Sequence, residues 1–126
     1  MIYLYGLLLP SQGADPAGLE VSGGVNDGVA IAPCAGLSLI YRPHDGSEIL
    51  PRRRALLKHA EVLENAMQSG TVLPMRFGMT CGSLAEFEGL VRASEPRVRE
   101  ALQRVKARVE LGVRITAYNP RHYRRL

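Results

Sequence analysis

Tryptophan is absent from the 126 residues, aromatic side chains make up 6% of them, and cysteine occurs twice, at Cys34 and Cys81. Two cysteines without C-x-x-C spacing or a neighbouring histidine pair exclude a zinc or thioredoxin-like motif and a disulfide framework. Two reduced, mostly buried thiols in a cytoplasmic protein are expected instead, and neither a metal nor a cofactor is. Charged residues and Pro33 break up the apolar stretches, so nothing approaches the ~20 residues of a membrane helix. The opening residues 1–10, MIYLYGLLLP, lack a positive n-region and an A-x-A-like cleavage site, and read as a strand and not as a secretory leader. Repeats and low-complexity tracts are also missing.

The chain has 46% apolar and 22% charged residues, which is the make-up of a globular domain and not of a disordered chain. A length of 126 residues supports one core without staples. The net charge of +4 is mild, and Arg121, Arg124 and Arg125 carry part of it. The expected organisation is one domain over residues 1–118, followed by a basic tail over residues 119–126.

Residues 2–9 are apolar on both phases, Ile2, Leu4 and Leu8 against Tyr3, Tyr5 and Leu7, the pattern of an interior strand. Residues 10–28 are rich in Gly, Pro, Ser, Asp and Asn and read as a loop. Residues 29–32 and 36–41 form two short strands around Pro33-Cys34-Ala35, a tight connection. A helix comes after the turn signals Pro43, Asp45 and Gly46, with an expected buried stripe of Leu56, Leu57, Ala60, Leu63 and Met67. Thr71, Leu73, Met75 and Phe77 share one face of the next strand, with Val72, Pro74 and Arg76 on the other. Pro74 cannot donate to a ladder, so this strand is short, bulged or at an edge.

Ser83 and Glu86 match a capping box that opens a second helix. Ser94-Glu95-Pro96 breaks it and starts a third, with Val98, Ala101, Leu102, Val105 and Val109 at helical spacing. From about Val109 the alternation of Val109, Leu111, Val113, Ile115 and Ala117 against Glu110, Gly112, Arg114, Thr116 and Tyr118 predicts a last strand with one open face. The expected class is α+β, a two-layer ferredoxin-like variant with a mixed sheet and its helices on one face.

Few residues point to chemistry. Gly23-Gly24 precedes no helix, so no phosphate cradle is formed. The histidines His44, His59 and His122 have no local metal spacing, and a packed or capping His59 is expected. An enzyme or small-ligand binder would need a cleft near His59 and Cys81, with Glu61 and Glu64 near by; the spacing shows no such proximity. Glu61 and Glu64 fit a solvated face with Lys58. Arg52-Arg53-Arg54 at a helix start opposes the helix dipole slightly and leaves room for an acidic partner. An RNA-binding sheet would interleave aromatic with basic residues on its central strands; Tyr3 and Tyr5 alone do not make that pattern, and no nucleic-acid partner is expected.

Four segments, taken together, resemble the gas vesicle synthesis protein L/F family: Tyr3-Leu4-Tyr5-Gly6, His59-Ala60-Glu61-Val62-Leu63-Glu64, Val72-Leu73-Pro74-Met75-Arg76-Phe77-Gly78 and Val109-Glu110-Leu111-Gly112-Val113-Arg114. The resemblance implies a cytoplasmic, gas-vesicle-associated assembly factor without a catalytic centre. Its implied partners are the hydrophobic shell protein or other gas vesicle accessory proteins; self-association is a further expectation, because the second domain typical of the family is not in this sequence, and no membrane contact is expected from the broken apolar stretches. It also implies an N-terminal ferredoxin-like domain that family members follow with a second α+β domain. On this reading His59, Pro74, Phe77 and Gly78 are structural. Tyr3, Tyr5, Arg42, Arg76, Glu110 and Arg114 are candidates for partner contact, the last four by their strand phase.

Overall fold

The computed structural model describes residues 1–10 and 28–110. In chain order they form β1 (Ile2–Pro10), β2 (Ala30–Cys34), β3 (Leu37–Pro43), α1 (Arg53–Met67), β4 (Gly70–Pro74), β5 (Thr80–Cys81), α2 (Leu84–Ala93) and α3 (Glu95–Glu110). The sheet runs β2-β3-β1-β4, with β5 also pairing with β1. Each of these pairings is antiparallel. The α+β class and the ferredoxin-like character therefore hold, and β1 is the interior strand that its uninterrupted apolar run requires.

The layering is not the expected one. Ile2, Leu4, Leu7, Leu37 and Leu39 pack with Phe87 and Val91 of α2 and Leu102 of α3. Tyr3, Tyr5, Leu8, Ile40 and Val72 pack with Val62, Leu63 and Ala66 of α1. Residues of opposite phase on one strand face opposite sides, so α1 covers one face of the sheet and α2 with α3 covers the other. Among the described residues the sheet is antiparallel, and its helices lie on both faces and not on one. Each fully buried leucine of β1 contributes about 1.5–3 kcal/mol by leaving water.

A register shift between Leu4 and Gly6 explains why strict alternation along β1 misplaces two leucines. The extra residue of a bulge reverses the phase, so that Leu7 joins Ile2 and Leu4, while Leu8 joins the two tyrosines. Gly6 sits at this point for want of space: a Cβ there would lie 3.0 Å from the Leu73 carbonyl oxygen and 3.1 Å from Leu63 Cδ2. The bulge thus brings β4 and α1 close to β1.

Local signals set the remaining elements. Ala35 and Gly36 both take positive φ, 51° and 81°, giving the two-residue turn that joins twisted strands as a hairpin. The Ser83 hydroxyl accepts the Glu86 N–H at 3.1 Å and caps α2. The Ser94 break separates α2 from α3 as its sequence foretells. Helix α3 runs on through Val109 and Glu110, which moves the start of the expected last strand from strand to helix. The rest of that strand, Arg114 included, and the basic tail lie outside the described residues.

Candidate functional site

At the end of the sheet where β1 begins, four residues from three separate stretches of the chain share one polar node. Tyr3 of β1 places its hydroxyl 2.8 Å from His59 Nδ1 on α1. His59 Nε2 lies 2.8 Å from the Met75 carbonyl oxygen. A carbonyl only accepts, so Nε2 carries the proton, Nδ1 offers its lone pair, and the Tyr3 O–H donates to it. The Tyr3 oxygen accepts in turn the Gly78 N–H at 3.3 Å. Gly78 has φ +91°, a conformation a side chain would strain, and it closes the turn over residues 76–79 that aims this N–H.

Burial pushes the Tyr3 phenol up to about 12, against the opposing pull of the Gly78 N–H. Burial also holds His59 below its ordinary value, with the Met75 carbonyl opposing. Both side chains are therefore neutral at pH 7. Tyr5 and Phe77 complete the cluster, with ring centroids 4.9 Å and 6.2 Å from that of Tyr3. The Arg42 guanidinium carbon stands 4.9 Å from the Tyr3 ring centre, a cation–π contact. The node joins strand, helix and turn; with both imidazole nitrogens engaged it offers no free base.

Beside the node a groove of about 540 Å³ opens on the α1 side of the sheet. The loop between β3 and α1 forms one wall with His44, Ser47, Ile49 and Pro51; Leu56 of α1 and Arg76, Phe77 and Gly78 of the turn form the other. His44 Nε2 meets the Ser47 carbonyl oxygen at 3.0 Å, and the Asp45 carboxylate accepts the Ser47 N–H at 2.9 Å. These bonds hold the loop wall. Hydrogen bonding from Ser47, its side chain first and its backbone N–H second, keeps the Asp45 carboxyl below the usual carboxylate range.

The expected site residues disperse. Tyr3 and Tyr5 are each 2% exposed, which removes them from any contact surface. Strand β4 ends at Pro74, so strand phase no longer governs the residues beyond it: Arg76 is half-buried at the groove, and Phe77 is half-buried against the α1-side cluster, opposite Leu73. Arg76 and Glu110 share no sheet face, since neither lies in a strand and Glu110 ends α3. Arg42 does lie on a strand, β3, stacked on Tyr3. His59 and Cys81 form no cleft: Cys81 packs on the α2 and α3 side and His59 on the side of α1.

The helix stripe also turns. The buried residues of α1 are His59, Val62, Leu63 and Ala66, whereas Leu56, Leu57, Ala60 and Met67 are exposed. Treating His59 as a core residue reveals the true stripe, because 59, 62, 63 and 66 have the same helical spacing. The groove wall over residues 44–51 carries no such signal, since it is built by loop closure.

The node and the two-sided sheet define a ferredoxin-like α+β domain whose most perturbed side chains serve its fold. Residues 1–126 match the family described as gas vesicle synthesis protein GvpL/GvpF, and the chain belongs to that family. It is 32% identical over 83 residues to "Gas vesicle protein F" of Nostoc sp. (strain PCC 7120), covering 64% of this chain and 34% of that protein. The crystal structure of gas vesicle protein GvpF from Microcystis aeruginosa superposes with a TM-score of 0.61 at 29% identity, covering 82% of this chain and 43% of that one. For GvpF from Anabaena sp. PCC7120 the TM-score is 0.62 and the identity 27%, over 82% of this chain and 42% of that one. The chain thus spans less than half the length of these relatives. Among the described residues no helix is long and apolar enough to cross a membrane.

Proposed function

We propose that this chain is an accessory protein of gas vesicle assembly which acts by binding the shell protein or another gas vesicle protein, without catalysis, in the cytoplasm. The observation that carries this reading is the use of its motif residues. His59, Tyr3, Phe77 and Gly78, which bear the family resemblance, are spent on one another, so what the motifs secure is a shape and not a reactive centre. Partner contact then falls to the exposed side chains around that shape.

Co-purification of the 126-residue chain with the shell protein and, separately, with each other gas vesicle protein tests this. Saturable capture of at least one of them is expected. Capture of none, under conditions where the chain is folded, would overturn the reading.

A further inference from the structure

We propose that the groove between α1 and the turn over residues 76–79 is a docking site for an acidic amphipathic segment, one that offers an apolar side chain flanked by carboxylates. This deepens the assembly reading and rests on it. Apolar surface stands open at this place: Leu56, on the groove wall, is 42% exposed, and Leu57, one residue further round α1, is 58% exposed. Leu57 lines a second depression of about 470 Å³ with Arg53, Arg54 and Lys58 and a single acid, Glu61. Both leucines share a helix face with Arg53, which lies one turn earlier.

Charge selects the occupant. Arg52, Arg53 and Arg54 are exposed at the start of α1, a helix with no acidic residue in its first turn and no side-chain cap. The dipole at that end favours anions, yet the sequence supplies three cations there, and Arg76 adds a fourth inside the groove. Among the described residues no carboxylate forms an ion pair with any of these arginines. The loop's own acids are Asp45, turned to Ser47, and Glu48. A carboxylate-bearing segment would gain from both the dipole and the arginines, while its apolar side chain covered Leu56.

The probes are two short fluorescein-labelled helical peptides with leucines along one face, one with glutamates elsewhere and one with lysines. Fluorescence anisotropy with the 126-residue chain should show binding of the glutamate peptide, weakening as salt rises, and none of the lysine peptide. Leu56→Asp and Arg76→Gln should each weaken it about tenfold or more, with thermal unfolding confirming that both variants fold. Leu90→Asp is the control, since Leu90 of α2 is 58% exposed on the far side of the sheet, and it should bind as the native chain does. Equal binding of the two peptides, or no effect of Leu56→Asp, would overturn the proposal. Sedimentation in which the native chain self-associates and Leu56→Asp does not would assign the groove to a second copy and likewise overturn it. Capture of a gas vesicle protein by Leu56→Asp as strongly as by the native chain would refute the groove and leave the assembly reading standing. Peptide binding at the groove without capture of any such protein would do the reverse.

Discussion

Tyr3 and His59 show how two polar residues can be buried at little cost when every donor finds an acceptor. Removing the phenolic oxygen in Tyr3→Phe strands the His59 Nδ1 lone pair and the Gly78 N–H together. Buried groups left unmatched cost about 1–3 kcal/mol, so urea unfolding should report a loss of that order. A loss under about 0.5 kcal/mol would mean that water replaces the hydroxyl without penalty. The same node makes a pH prediction. His59 is held below its ordinary 6.5 by burial, so on acidification the unfolded chain binds the proton first. The stabilisation from neutral His59 is then present in full above the unfolded value and is lost as the pH falls from there to the lower folded value. NMR titration should place His59 below 6.5; a value at or above it would refute the neutral, Nε2-protonated imidazole.

At the scale of elements, two close approaches carry structure that propensity alone does not. Gly6 lets β4 and α1 meet at the bulge of β1, and Gly6→Ala forces a methyl group against a carbonyl oxygen 3.0 Å away. Overpacking of this kind costs about 1–3 kcal/mol, measurable as a lower urea midpoint at unchanged slope. The β2–β3 turn is gripped from the other face: the Ala35 N–H donates to Glu88 on α2 at 3.0 Å, and Arg99 on α3 donates to the Ala35 carbonyl at 3.3 Å. These bonds hold a residue with φ 51° in a conformation unfavourable for alanine. Glu88→Ala should therefore destabilise by about 1–2 kcal/mol, while Glu88→Gln, which keeps an acceptor oxygen, should cost clearly less. Equal losses would show that charge and not the hydrogen bond matters there.

For the whole molecule, the rotated stripe of α1 separates stability from surface. Leu63→Ala should cost about 2–5 kcal/mol, since Leu63 is 3% exposed in the core. Leu57→Lys should change stability by no more than about 0.5 kcal/mol. Thermal unfolding of the two variants checks both, and a large loss in Leu57→Lys would restore the stripe expected from the sequence. The half-burial of Phe77 likewise lowers the expectation for Phe77→Ala below the ~3–5 kcal/mol of a fully buried ring.

The order of residues alone sets the features that depend on neighbours within a turn or a strand. The apolar run over residues 2–9 announced an interior strand, Ser83 and Glu86 a helix start, Ser94 and Pro96 a break, and the four segments a family. It also marked Arg52 to Arg54 as an unusual helix start. Which way each element faces depends instead on contacts between residues far apart along the chain. The bulge at Gly6 reverses strand phase with one residue, and on α1 the stripe of His59, Val62, Leu63 and Ala66 is buried in place of the more apolar one of Leu56, Leu57, Ala60, Leu63 and Met67. The choice between them falls to Tyr3 and Met75, which give His59 partners 56 and 16 residues away. A buried histidine is tolerable only when both its nitrogens are matched, and that condition is met in space and nowhere along the chain.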